Sequence, residues 1–271
     1  DLRGLGLLMS PAASLSTVAS LSLAICQFIA FPAHAFLLRS STHRRQHRTA
    51  AGGLIMSSAA NGQTPWRPPL IVGSKSKTRR QILTEMGFDL HLESADIDEK
   101  QVGDRASCPS ELVLEVAKAK AQALLDKLAN TESPYRILLT GDQVVVWKGR
   151  IREKPHDGAE AREFIEGYGR SPCQTVGSCV LTDLHTRTQV SGVDTATIHI
   201  KPIPDDIIQK LIDEGDILHC AGGLMIEHPL VEPYIERIDG AFDSVLGLSK
   251  ALVDSLLIDL RQKIDTHASS A

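Results

Sequence analysis

Asp142 stands in the most apolar strand-like run after residue 69, between Ile137-Leu138-Leu139-Thr140 and Val144-Val145-Val146, with Gly141 before it and Gln143 after it. A carboxylate desolvated in such a place must pair with a cation or a metal, or stay protonated. Asp142 is therefore the first candidate for proton transfer or metal binding; the other reading is an Asp-Gln turn between two hairpin strands. Cations for it are concentrated in Ser74-Lys75-Ser76-Lys77-Thr78-Arg79-Arg80. This run lies between apolar Leu70-Ile71-Val72-Gly73 and the helically spaced Ile82, Leu83 and Met86, so the segment reads as strand, polar loop, helix. Free N–H groups and the positive end of a helix dipole at such a loop seat a polyphosphate, although a solvated basic helix start would look the same.

Three further segments carry groups of the right type. Lys120 falls close to the angular sector of Val113 and Val116 on a helix opened by Pro109 and Ser110, so its ammonium either overhangs a cleft or snorkels along a rim. Lys154 precedes Pro155 and is held extended, which suits stabilisation of a phosphate or leaving group. Asp96-Ile97-Asp98-Glu99 is an acidic loop after a strand expected over Phe88 to Glu93, and Glu227 follows the small-residue turn Cys220-Ala221-Gly222-Gly223.

The elements that must position these groups follow from periodicity. Lys148-Gly149 predicts a tight turn, and Asp157 caps a helix from Gly158 to about Gly167. Gln174 to Leu184 and Val190 to Ile200 alternate as a β-hairpin. Amphipathic helices are expected from Pro204 to about Glu214 and from Leu248 to Ile264. Gly141 suits a kink or bulge beside a site.

The formal net charge of −4 conceals an asymmetry: residues 1–69 hold six Lys and Arg against Asp1 alone, and the rest of the chain is correspondingly acidic. An acidic body with one basic loop argues against general nucleic-acid binding and for a small anionic ligand. The five cysteines form no C-x-x-C pair and no zinc spacing with histidine, and read as reduced thiols.

Residues 1–69 read as an address and linker. Leu15 to Ala30 is apolar but short for a membrane span; Ala33-His34-Ala35 has the small-x-small form of a signal-peptidase site, and a Ser-, Thr- and Arg-rich stretch follows. Such a bipartite leader implies delivery to a plastid, with no membrane attachment in the mature form. A start at Met56 would instead give a cytoplasmic product.

In order, Ser-x-Ser-x-x-Arg-Arg (Ser74 to Arg80), Asp-Ile-Asp-Glu (Asp96 to Glu99), Lys-Ala (Lys120, Ala121), Gly-Asp-Gln-Val-Val (Gly141 to Val145), Lys-Pro (Lys154, Pro155), Ala-Gly-x-x-x-x-Glu (Ala221 to Glu227) and Val-Leu-Gly-Leu (Val245 to Leu248) resemble the motifs of the Maf family of nucleoside triphosphate pyrophosphatases. The resemblance covers nearly all of residues 70–262 and looks closest to the plant and algal branch. It implies a mixed α/β domain over residues 70–267, a curved sheet with flanking helices around a deep cleft, inosine triphosphatase-like, acting as a homodimer. It also implies cleavage between the α and β phosphates of a nucleoside triphosphate, giving the monophosphate and pyrophosphate, with Mg or Mn as cofactor. By position, Asp142 would accept the proton of the attacking water and bind metal with Asp98 or Glu99, while Ser76, Arg79, Arg80, Lys120 and Lys154 would grip phosphates. Base choice would reside in Thr78, Gln143 and Glu227, whose pattern resembles the branch acting on 7-methylguanosine triphosphate, with the dTTP and UTP branch as the alternative. A non-catalytic nucleotide-binding regulator of division is the rival from another class. Lys77, Thr78 and Glu153 depart from the family pattern, which has a proline, often an aromatic, and a glycine there.

Overall fold

Three short parallel strands set the end of the molecule at which the loops collect. The computed structural model describes residues 65–129, 131 and 133–270, so the leader lies outside the described residues. The chain runs β1 (Leu70–Val72), α1 (Lys77–Glu85), β2 (Leu90–Leu92), α2 (Pro109–Lys127), β3 (Ile137–Thr140), β4 (Gln143–Trp147), β5 (Arg150–Arg152), α3 (Gly158–Tyr168), β6 (Cys173–Asp183), β7 (Gln189–Ile200), α4 (Asp205–Glu214), β8 (Ile235–Asp239), α5 (Phe242–Val245) and α6 (Lys250–Ser270). β1 pairs in parallel with both β2 and β3. The loops after these three strands therefore emerge at one edge, the carboxyl end where open α/β sheets bind ligands. The other pairings are antiparallel, so the fold is a mixed α/β sheet with flanking helices.

The apolar runs explain the layering. Leu70, Val72, Ile137, Leu139 and Leu181 face Ile82 and Leu83 of α1 and Val253, Leu257 and Leu260 of α6. Ile71, Leu138 and Val180, one residue out of phase, face Ala117, Ala121 and Leu124 of α2. Runs without alternation are what a strand covered on both sides requires. A second region of the core joins Phe164 and Tyr168 of α3 to Val145, Cys173 and Ile198.

The expected hairpin of β6 and β7, the Asp157 cap, which accepts from the Glu160 N–H at 2.9 Å, and the turn at Lys148-Gly149 are all present. Some boundaries move. The strand after α1 is shorter than Phe88 to Glu93 and lies at an edge, and α6 runs on to Ser270. Trp66 and Arg67, read as linker, belong to the folded body: Trp66 packs on the α1–α6 core, and Arg67 donates to the Met86 carbonyl at 2.9 Å and pairs with Asp254 at 2.9 Å.

At Gly141 and Asp142 the strand is interrupted between β3 and β4, as expected of an irregular point, but no bulge is inserted. Ile137 to Thr140 pair with Asp183 to Val180, and Gln143 to Val146 with Gly177 to Gln174. The ladder thus passes Gly141 and Asp142 without gaining or losing a residue, and β3 and β4 do not form a hairpin. Gly141 is needed for another reason: a Cβ there would sit 2.5 Å from the Ser178 carbonyl oxygen, so the close approach of two backbones excludes any side chain. Among the described residues no helix is long and apolar enough to cross a membrane.

Candidate active site

Strand alternation sends Asp142 and Gln143 to opposite faces of the ladder. Asp142 meets α2, where the Lys120 ammonium donates to its Oδ1 at 3.0 Å. The same ammonium pairs with Oε2 of Glu99 at 3.0 Å, in the single 3-10 turn that follows Asp98. Two carboxylates from separate loops thus converge on one cation whose side chain is only 9% exposed, so burial of the lysine is offset by charge on two sides. Among the described residues no hydrogen bond reaches the second oxygen of Asp142, and its side chain remains 16% exposed.

Residues that periodicity did not single out hold this arrangement. Ser178, buried on β6, donates through its hydroxyl to the Val113 carbonyl of α2 at 2.7 Å and accepts from the Asp142 N–H at 3.1 Å, while its own N–H donates to the Asp142 carbonyl at 2.8 Å. Thr140 donates to the Ala117 carbonyl at 2.8 Å, one helical turn before Lys120. Both hydroxyls fix α2 against the strand that carries Asp142. The available signal was a serine in the otherwise apolar Cys179-Val180-Leu181 neighbourhood of β6.

The basic loop closes another wall. Ser76 caps α1, accepting from the Arg79 N–H at 3.3 Å, and the Ser74 hydroxyl accepts from the Ser76 N–H at 3.2 Å. Arg80 is half-buried and donates through Nε to the Ser76 carbonyl; Thr78 is also half-buried, whereas Lys75 and Lys77 are exposed. Arg79 points elsewhere: it is buried and donates to the Gly141 carbonyl at 2.9 Å and the Gly247 carbonyl at 2.8 Å. Burial pulls this guanidinium below its ordinary pKa, opposed first by the charge of Asp142. Arg79 thus braces the residue before Asp142 and supplies positive charge beside it.

On the opposite face, Gln143 donates through Nε2 to the Ser244 carbonyl at 2.8 Å and the Val245 carbonyl at 3.3 Å, which ties β4 to α5; among the described residues no bond reaches its Oε1. Asp98 is exposed and accepts from the Lys100 N–H, capping the turn that bears Glu99. Lys154 and Glu227 are exposed and both act on Cys220, whose thiol is pushed up to about 11 by burial first, then by Glu227 and Asp216, with Lys154 opposing. That thiol is uncharged at neutral pH. The Gly222 N–H donates to the Glu153 carbonyl at 2.8 Å, so the Lys154 and Glu227 segments share one anchor. Gly222 has φ 62°, and a Cβ there would strike Val145 at 2.6 Å. Among the described residues no group of three or more His, Cys, Asp or Glu side chains is gathered as a metal cage.

The chain has clear relatives. The 7-methyl-GTP pyrophosphatase of Dictyostelium discoideum is 40% identical over 197 residues, spanning 72% of this chain and 98% of that one. A nucleoside triphosphate pyrophosphatase of Salinispora tropica is 34% identical, spanning 75% of this chain and 88% of that one. A dTTP/UTP pyrophosphatase of Bdellovibrio bacteriovorus is 29% identical, spanning 70% and 98%. A family model described as Maf-like protein matches residues 69–260, and by that match this chain belongs to the Maf-like family.

Proposed function

We propose that this chain is a nucleoside triphosphate pyrophosphatase whose general base is Asp142. The observation that carries the reading is the half-engaged carboxylate: one oxygen is held by Lys120 and the other has no protein partner among the described residues, at the sheet edge from which the loops after β1, β2 and β3 emerge. A water held by the Asp142 carboxylate attacks the α phosphorus and gives its proton to that carboxylate. The bond from this phosphorus to the α–β bridging oxygen breaks, and pyrophosphate leaves. Ser76, Arg80 and the N–H groups at the start of α1 bind phosphate oxygens, and Lys154 neutralises charge on the leaving group. Lys120, which contacts both Glu99 and Asp142, orients the Asp142 carboxylate.

Two carboxylates without a third protein ligand fit Mg or Mn, which take one or two carboxylates and complete their shell with substrate phosphates and water. Asp142 and Glu99 would hold the ion, with Asp98 shaping the turn. When bound, it neutralises charge developing on the phosphates.

For the base, the 40% identical relative supports 7-methylguanosine triphosphate. Glu227 is an acceptor for the N1 and N2 donors of guanine and favours a cationic methylated base, with Thr78 and Oε1 of Gln143 as further determinants. The pyrimidine triphosphates named for the 29% identical relative are the second reading. The test is pyrophosphate release from a panel of standard and modified triphosphates with Mg. Wild type is expected to turn over at least one and Asp142→Asn none, whereas tight binding without release from any would leave a nucleotide-binding regulator. Glu227→Gln should lower the preference for 7-methyl-GTP over UTP by roughly tenfold or more, the scale of one lost base contact. Residues 1–69 are proposed to direct the chain to a plastid, which a reporter fused to them tests, and light scattering tests the homodimer.

A further inference from the structure

We propose that Arg105 is a positioning residue of this site, coupling the loop that carries Glu99 to the loop that carries Lys154, with Glu153 as its partner. The inference rests on the reading of the site given above. Arg105 Nη2 donates to the Glu99 carbonyl at 2.7 Å and to Oε1 of Glu153 at 3.2 Å, while Nη1 donates to the Val102 carbonyl and, at 3.3 Å, to the Gly103 carbonyl. One planar fork thus ties three carbonyls of the acidic loop into a knot and fastens that knot to the residue before Lys154. Lysine, a point charge on a flexible stem, cannot span the same set.

The position of this knot gives it a function. The Glu99 side chain reaches Lys120, and Lys120 reaches Asp142, each at 3.0 Å. On the far side, the Glu153 carbonyl accepts from Gly222 in the turn that leads to Glu227. A chain of polar contacts therefore runs from the carboxylate assigned to water activation, through Lys120, Glu99 and Arg105, to Glu153, the residue before Lys154, and on to Gly222 in the turn that leads to Glu227. Glu153 is a departure from the glycine of the family pattern, so its half of the link belongs to chains that carry an acid there. The side chains of Arg105 and Glu153 are 28% and 43% exposed. A pair that exposed contributes little to global stability, so its effect is expected in the geometry of the walls and in turnover.

The test uses the full chain with Arg105→Gln, Glu153→Gln and the double variant, assayed on whichever triphosphate wild type hydrolyses best. Arg105→Gln should lower kcat by 10- to 30-fold with KM changed less than 3-fold and Tm within about 2 °C of wild type. The double variant should be no slower than Arg105→Gln, because both changes break one link. Arg105→Lys should recover little. Hydrogen exchange gives a readout that needs no activity: Glu153→Gln should raise exchange at residues 99–105, far from it in sequence. If wild type releases no pyrophosphate, the functional reading fails while the exchange measurement still decides the coupling. Turnover within 2-fold of wild type in Arg105→Gln, multiplying effects in the double variant, or unchanged exchange at 99–105 in Glu153→Gln each overturns the proposal.

Discussion

The β3–β6 ladder carries a carboxylate–cation pair at each end, and the two are built to opposite purposes. Asp183 pairs with Arg136 through two parallel bonds of 2.9 and 2.7 Å, accepts also from the His185 N–H and the Thr186 hydroxyl, and has a side chain 0% exposed. Every acceptor direction is used. Asp142 has one charged partner and an oxygen to spare. A saturated carboxylate can only hold structure, since any ligand would first have to displace four donors. An unsaturated one beside a cation is poised for water or metal, and that difference separates site from scaffold where residue type does not.

The largest effect should come from exchanging each acid for its amide. Asp142→Asn is expected to lower kcat by about 10²–10⁴-fold, the range for a lost general base, with Tm almost unchanged because Lys120 keeps Glu99. Asp183→Asn should do the reverse, costing about 2–3 kcal/mol of stability, less than a fully buried pair because Arg136 is 42% exposed and relaxes into water. Its turnover per folded molecule should match wild type. A strongly destabilised Asp142→Asn with intact kcat would abolish the distinction.

Ser178→Ala sharpens it, because this residue serves both purposes. It leaves a buried carbonyl and the Asp142 N–H short of a partner, for about 1–2 kcal/mol. It also frees Asp142 to shift, which should slow turnover by roughly 3- to 30-fold, within the known cost of small misplacements. Loss of stability with no loss of rate, measured by urea melts and steady-state kinetics, would assign Ser178 to the scaffold alone.

The smallest effect is one of pH. Desolvation would raise the Asp183 pKa, but the Arg136 bonds, then the His185 N–H and the Thr186 hydroxyl, outweigh it and the net direction is down. A carboxylate depressed on folding adds stability that is complete above its unfolded value of about 3.9 and is lost as pH falls through the folded value. The difference in urea midpoint between wild type and Asp183→Asn should therefore be constant above about pH 5 and narrow below about pH 4. A gap that widens in acid would reverse the assignment.

Legibility in the sequence differed from residue to residue. Asp142 was visible because it interrupts an apolar run, and its need for a cation followed from desolvation. Asp183 ends the apolar run Val180-Leu181-Thr182 in the same way and carried no assignment. The Asp157 cap and the Lys148-Gly149 turn were readable because they depend on neighbours a few residues apart. Arg79 was read with Arg80 as one basic pair. Their split, one braced on backbone and one half-exposed, depends on where Gly141 and Gly247 come to lie.

By itself the amino-acid order determined the strands, the helices, their caps and the types of group on offer, since these follow from short-range sterics and periodicity. Tertiary structure alone decided that Glu99, Lys120 and Asp142 share one cluster, that the ladder passes Gly141 in register, and that Arg105 joins two loops. The physical reason is that partner choice and saturation at a charged group are set by strand pairing and helix docking between residues tens of positions apart, and nothing in local spacing reports how many donors an oxygen will meet.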